Sequence, residues 1–324
     1  MSTRVDFPDQ STHAAARTAG PAGRATRVRR VSAPGASWGL LGAHVMALVF
    51  GLGGLLIALP NPELWADSAT GREVFDFGMT YAGSMHIIFG AAAVFALGVL
   101  ALGWARTAVF FVLSTGISLG SELVGTGTGW PFGNYEYTDF LGYQVLGRVP
   151  FTIPLSWFYM GLACYLAGVS LARLIGPRWR VGTTALSIGL GVWFLVVWDM
   201  VLDPAMAHED LMVQFWTWSE TGPYFGMPAQ NYIGWAATGL IYMVLSRIIW
   251  RRDPDPTTYP AAIPTLVYIA NIIFASALSF SVGLWQPVVI AVTLALLPLL
   301  LALVERDADV VRSGGPLGRE LVRR

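Results

Sequence analysis

The sequence predicts an all-α fold: a polytopic integral membrane bundle of about eight transmembrane helices, with both termini cytoplasmic. Three observations predict it. Of 324 residues, 55% are hydrophobic and only 12% are charged, about half the charged share of a soluble domain, and the mean hydropathy is +0.57. Apolar runs of bilayer-spanning length recur along the chain. The basic residues, all of them Arg, are spread very unevenly between the connecting segments. This composition excludes a disordered chain, a coiled coil and a typical nucleic-acid binder, so no nucleic-acid partner is expected.

A hydrocarbon core of about 30 Å takes about 20 apolar residues per helix. Eight runs fit: Trp38–Leu59, Met79–Leu102, Thr107–Val124, Ile153–Ile175, Val181–Leu202, Tyr232–Ile249, Ile263–Val282 and Pro287–Val304. Bare backbone is not tolerated in lipid, and these runs are too long and continuous for barrel strands, so each is read as a helix. The last two are so close that they form a tight hairpin. No strand is expected anywhere in the chain.

Residues 1–36 carry Arg4, Arg17, Arg24, Arg27, Arg29 and Arg30 among Ala, Thr, Ser, Gly and Pro, with no apolar run. They read as a disordered basic tail able to touch anionic headgroups. Residues 37–305 are expected to form the membrane-embedded domain, and residues 306–324 a cytoplasmic C-terminal tail. With the N-terminus inside, eighteen of the 20 basic residues fall on inner segments, leaving Arg72 and Arg148 outside. That asymmetry is the positive-inside pattern, and it supports an even number of helices.

The outer segments hold Glu63, Asp67, Glu73, Asp76, Glu136, Asp139, Glu209, Asp210 and Glu220. Two of them, Gly125–Thr152 and Asp203–Asn231, are long and rich in Trp, Tyr, Phe, Gly and Pro. An interfacial aromatic belt accounts for scattered Trp and Tyr. Dense Gly/Pro punctuation with embedded carboxylates is what functional loops carry. Asp67 and Asp210 read as solvated.

Three carboxylates stand at or near helix ends. Glu122 lies in Ser121-Glu122-Leu123-Val124. Asp199 and Asp203 lie in Trp198-Asp199-Met200-Val201-Leu202-Asp203-Pro204. Residues four apart share a helix face, so the two aspartates project together, and Pro204 ends the helix or starts the turn. Ionisable groups in a membrane segment are functional candidates. The plainer readings are that Asp203 caps a turn before Pro204 and that Glu122 pairs with an Arg such as Arg148.

Other chemistry finds less support. His13, His44, His86 and His208 show no metal-ligand spacing, and His86 beside Ser84 reads as an interior helix-packing contact. Cys164, alone, excludes an intramolecular disulfide and a Cys-pair metal site and reads as a buried thiol. The run Gly125-Thr126-Gly127-Thr128-Gly129 lacks the Lys of a phosphate loop and reads as a flexible outer loop. Asp199-x-x-x-Asp203 is similar to one half of a diphosphate–magnesium site, with no second acidic cluster to complete it.

The segment from Ser121-Glu122-Leu123-Val124-Gly125-Thr126 through Gly129-Trp130-Pro131-Phe132-Gly133-Asn134-Tyr135-Glu136-Tyr137-Thr138 resembles the CruF-type carotenoid 1,2-hydratases. The resemblance continues through Leu141-Gly142, Val149-Pro150 and Ile153-Pro154-Leu155-Ser156-Trp157-Phe158. It returns at Trp198-Asp199-Met200-Val201-Leu202-Asp203-Pro204 and, more loosely, at Asn231-Tyr232-Ile233-Gly234-Trp235. It covers roughly Tyr81 to Tyr242. It implies a multi-pass protein of the cell membrane that adds water across the terminal C1–C2 double bond of an acyclic carotenoid end. The ends implied are of the lycopene, gamma-carotene or C50 bisanhydrobacterioruberin type, and the product is a tertiary alcohol. No cofactor and no metal are implied. The implied partners are the hydrophobic polyene, the lipid bilayer and other carotenoid-biosynthesis enzymes.

Such a hydration needs a protonated acid, a wall that tolerates a cation and one controlled water. Burial beside a second carboxylate favours a protonated acid. Asp199, deeper in its helix, is the expected proton donor, and Asp203 or Glu122 the base that orients water. Trp130, Phe132, Tyr135, Tyr137, Trp157, Trp198 and Asn231 are the expected substrate-binding residues. Of these, Trp157, Trp198, Tyr135 and Tyr137 present π faces to the cation, each worth on the order of 1–2 kcal/mol when desolvated. Two other readings remain open at this point: a membrane prenyltransferase or cyclase, and a non-enzymatic carotenoid-binding or transport protein.

Overall fold

A computed structural model of the protein describes residues 35–176, 179–256, 259–260 and 262–301. The expected basic tail up to residue 34, the C-terminal tail, Arg178 and the end of the eighth apolar run lie outside the described residues. Among those described, seven helices are long and apolar enough to cross a membrane. They are α1 (Gly35–Gly53), α2 (Ala69–Leu102), α3 (Trp104–Thr128), α4 (Thr152–Ile175), α5 (Arg180–Met206), α6 (Ala229–Trp250) and α7 (Ala262–Ser281). An eighth, shorter apolar helix begins with α8 (Trp285–Ala291) and runs to Leu301. The protein is thus an all-α multi-pass membrane protein.

Helix α4 is the central post. In its most apolar window 78% of the residues are buried, against 22% for α1 and 28% for α3. Cys164 is fully buried in it. Helix α5 packs directly on α4 because small residues meet there: a Cβ on Gly168 would stand 2.8 Å from the Gly191 nitrogen. Close backbone approach through small residues is how membrane helices gain packing energy where lipid offers no hydrophobic drive.

Three boundaries differ from the sequence reading, each for a physical reason. Helix α2 begins ten residues early, with Ser68 Oγ accepting from the Gly71 N–H at 3.2 Å as N-cap. Its 34 residues span about 50 Å, more than a bilayer core of about 30 Å. Arg72, Glu73 and Asp76 therefore ride on exposed helical turns rather than in a loop. The run Gly125–Thr128 is not a flexible loop but the last turn of α3, closed by Gly129 in the left-handed conformation at φ 77°.

Helix α5 likewise passes through Pro204 to Met206 instead of stopping. Proline at 204 has no N–H to give the Met200 carbonyl, and the Tyr224 hydroxyl takes that carbonyl at 3.2 Å. Burial pushes the Tyr224 phenol up to about 12, with Asp199 adding to the shift, so it stays a donor.

Short strands occur where none was expected. Strand β1 (Tyr135–Tyr137) pairs antiparallel with β4 (Trp216–Trp218), and β2 (Gln144–Val145) with β3 (Val149–Pro150). The β1–β4 pair joins the two long aromatic loops into one cap. Thr138 N donates to Phe215 O at 3.1 Å and Ser219 N to Asn134 O at 2.9 Å. With the register Glu136↔Thr217 midway between them, Glu136 and Thr217 form the hydrogen-bonded pair. Tyr135 and Trp218, and Tyr137 and Trp216, form the close non-hydrogen-bonded pairs. Alternation turns these four rings to one face.

Candidate active site

The aspartates of α5 project together, as the four-residue spacing requires. Asp199 is 0% and Asp203 5% exposed. Between them stands Asn231, in the first turn of α6, whose Nδ2 donates to Asp199 Oδ2 at 3.0 Å and also to Asp203 Oδ2. One amide thus ties the pair to a neighbouring helix. The remaining oxygen, Asp199 Oδ1, is buried without a hydrogen-bond partner, an arrangement that is costly in an apolar interior unless it serves a purpose.

Glu122, on α3, is also buried. It does not pair with Arg148, which is exposed. Its Oε2 accepts from the Tyr135 and Tyr137 hydroxyls, the latter at 2.9 Å, and its Oε1 accepts from Trp157 Nε1 at 3.0 Å. Both phenols are pushed well above their ordinary values by burial and then by the Glu122 charge, so they remain donors. Glu122 thereby fastens the cap strand β1 to α3 and α4.

The aromatic wall follows from these anchors. Trp157 stacks on Trp235 at 3.9 Å and 17°, and Trp198 meets Trp235 edge-on at 5.7 Å. Phe132 is wedged between α3 and α6, where Gly125 and Gly234 leave room. A Cβ at Gly125 would lie 2.9 Å from the Phe132 ring, and one at Gly234 2.6 Å from it.

Nine of the ten site residues expected from the sequence line one cavity of about 60 Å³: Glu122, Phe132, Tyr135, Tyr137, Trp157, Trp198, Asp199, Asp203 and Asn231. The tenth does not: Trp130 is 68% exposed and is not among the residues lining the cavity. It follows the left-handed Gly129, and the chain turns inward only at Phe132. Asp67 and Asp210, read as solvated, are exposed.

Several lining residues escaped the sequence reading. Trp216 and Trp218 come from the second loop through the β1–β4 pairing; their Trp-x-Trp alternation was the available signal. Trp235 lies four residues after Asn231 on the same helix face. A polar chain also borders the cavity: Tyr159 donates to Asn271 Oδ1 at 2.8 Å, and Asn271 Nδ2 donates to His44 Nε2 at 3.0 Å. His44 Nδ1 in turn donates to the His86 carbonyl at 2.7 Å, and His86 itself lines the cavity. The His86 imidazole itself donates to the Ala82 carbonyl of its own helix at 3.1 Å and stacks on Phe274. Among the described residues no three His, Cys, Asp or Glu side chains are grouped to hold a metal ion.

The chemistry available is that of a small, aromatic, water-sized chamber with one unpartnered carboxyl oxygen beside a second carboxyl. Its volume exceeds the roughly 10–15 Å³ that one water needs. The cavity holds no Arg or Lys among its described lining residues.

Residues 82–298 match the family described as carotenoid biosynthesis protein, and every cavity-lining residue from His86 to Phe274 falls inside that match. The chain is 32% identical over 201 residues to bisanhydrobacterioruberin hydratase of Haloarcula japonica, covering 62% of this chain and 62% of that protein. It thus spans less than two thirds of that relative's length. No solved structure matches the chain. With two thirds of its length matched, and the whole cavity within that stretch, the chain belongs to the carotenoid biosynthesis protein family.

Proposed function

We propose that the protein is a carotenoid 1,2-hydratase of the cell membrane, adding water to the terminal C1–C2 double bond of an acyclic carotenoid end. Ends of the lycopene, gamma-carotene or C50 bisanhydrobacterioruberin type fit this reading. The observation that carries it is the unpartnered Asp199 Oδ1, buried in an aromatic chamber beside a second carboxyl. A hydrocarbon binder gains nothing from such a group. The name of the Haloarcula japonica relative points to the same reaction.

Asp199 delivers its proton to C2, and the π pair becomes the new C–H bond. The tertiary cation left at C1 faces the rings of Trp157, Trp235 and Trp198, where cation–π attraction replaces hydration. A water oxygen attacks C1, and its surplus proton passes to Asp203, regenerating the pair after proton exchange between the two. Glu122 accepts from three donors and serves to hold the wall that excludes bulk water. Tertiary alcohol formation balances as alkene plus one water, with no oxidant or reductant.

Expression in a lycopene-accumulating bacterial host tests the reading by mass analysis of the extracted pigments. The expected product gains one or two waters with the polyene absorption unchanged. Asp199→Asn should lower the yield by about a hundredfold or more, the scale of a lost general acid, at equal protein level. A product of unchanged mass but altered absorption would mean cyclisation. Unaltered pigment with both lycopene and a C50 precursor would mean transport or storage.

A further inference from the structure

The aspartate chamber, at about 60 Å³, is far smaller than a whole polyene. A second cavity, of about 470 Å³, lies beside it between α1 and α2. One wall is a single face of α2, with Gly71, Val74, Gly78, Ala82 and His86 recurring at three- and four-residue steps. From Gly71 to His86 this track runs about 22 Å. The facing wall is the end of α1, where the helix widens into a π-helical turn, Gly54–Ala58. Such turns are frequent at functional sites. A Cβ on Gly53 or Gly54 would meet no atom within 4 Å, so these glycines leave space that nothing else fills.

The two cavities are continuous in their lining. His86, Met206 and Phe274 border both. His86 stands at the junction, held through its backbone carbonyl by buried His44. The groove presents no Asp, Glu, Arg or Lys among its described lining residues. Near its open side Val74 is 51% and Phe50 40% exposed. A straight apolar track that ends at His86, on the border of the aspartate chamber, suits a stiff hydrocarbon carrying its reactive bond at the tip.

We infer that the α1–α2 groove holds the polyene chain of the substrate and feeds its terminal double bond past His86 to Asp199. This rests on the hydration reading for the chemistry at the tip, but the binding can be measured without it. One end is engaged per binding event, so a substrate with two reactive ends leaves and rebinds between hydrations.

The test uses the purified full-length chain carrying Asp199→Asn, incubated with lycopene in phospholipid vesicles, and reads polyene absorbance retained per protein. Gly54→Leu and Gly78→Leu fill the track; a Cβ at Gly78 meets only the Phe50 ring, at an ordinary 3.4 Å. Each should lower retained lycopene by about tenfold. Ile88→Phe, on the exposed lipid side of α2 (42% exposed), should leave it unchanged. Equal thermal melting of the variants separates a filled groove from a broken fold. Retention equal to that of the Asp199→Asn parent in both filled variants overturns the inference. So does a parent protein that retains phospholipid and no lycopene. A wild-type protein that retains lycopene and a C50 precursor and returns both unaltered, with retention lost in the filled variants, defeats the hydration reading and leaves the groove standing.

Discussion

At the scale of single residues, the three buried carboxyls divide by what their oxygens touch. Asp199 Oδ1 is unpartnered, whereas both oxygens of Glu122 are taken by Tyr135, Tyr137 and Trp157. The two should respond differently to loss of their acidic proton. Glu122→Gln keeps an oxygen for the Trp157 N–H, and its amide can donate to the tyrosine oxygens, which accept as well as donate. We expect this variant to keep product yield within about tenfold of wild type, a cost near that of one impaired buried hydrogen bond. Asp199→Asn should fall far below it. Side-by-side pigment analysis of the two checks this; equal loss would place Glu122 in the proton path. The Phe132 wedge makes a second residue-scale prediction. Gly234→Ala puts a methyl group 2.6 Å from the Phe132 ring and 2.8 Å from the Pro131 carbonyl. The ring can turn but the backbone cannot, so we expect a loss of about 1–3 kcal/mol, visible as a lower melting temperature of the purified protein.

At the scale of elements, the β1–β4 pair decides whether the chamber has a roof. Thr217 sits in the hydrogen-bonded pair opposite Glu136, with its neighbours Trp216 and Trp218 facing the cavity. Thr217→Pro removes the ladder N–H and leaves both tryptophans in the chain. Hydration should drop by at least about tenfold while the membrane helices and expression level stay intact, because a cation open to bulk water is no longer controlled. Pigment yield against protein level, with far-ultraviolet circular dichroism for the helices, measures both. This element also marks the limit of what the sequence discloses. Asp199, Asp203, Asn231 and Trp157 are legible because helical spacing and short motifs are local. Trp216 and Trp218 are not, because they meet Tyr137 and Tyr135 across about 80 residues of chain, and no local pattern encodes that pairing. Hydropathy locates the apolar runs but is blind to helices that outlast the bilayer, such as the charged first turns of α2. The Pro204 stop failed for a tertiary reason: the orphaned Met200 carbonyl is satisfied by Tyr224, from a loop that the sequence leaves unplaced.

At the scale of the whole molecule, sidedness determines where the product is made. The cap loops, the C-terminal turns of α3 and α5 and the first turn of α6 lie together at one end of the bundle, where the strand pairing and Asn231 join them. Arg106, Arg173, Arg180, Arg247, Arg251 and Arg252 belong to the segments at the other end. The positive-inside rule predicts that the Arg-rich end lies in the cytoplasm, which would turn the carboxyl chamber toward the outer leaflet. Cys164 is the sole cysteine and is fully buried, so single introduced cysteines can report sidedness without a background signal. Leu146→Cys, at a site 78% exposed in the cap, should react with a membrane-impermeant maleimide on intact cells. Arg252→Cys, on the exposed α6–α7 connection, should react only after the cells are permeabilised. The reverse pattern would place the chamber on the cytoplasmic side, and the hydroxylated end would then emerge where soluble enzymes can reach it. The expected pattern instead leaves the new alcohol at the outer headgroup level, where its hydroxyl gains water while the polyene stays in hydrocarbon. That partition draws product out of a groove whose lining offers it few polar partners.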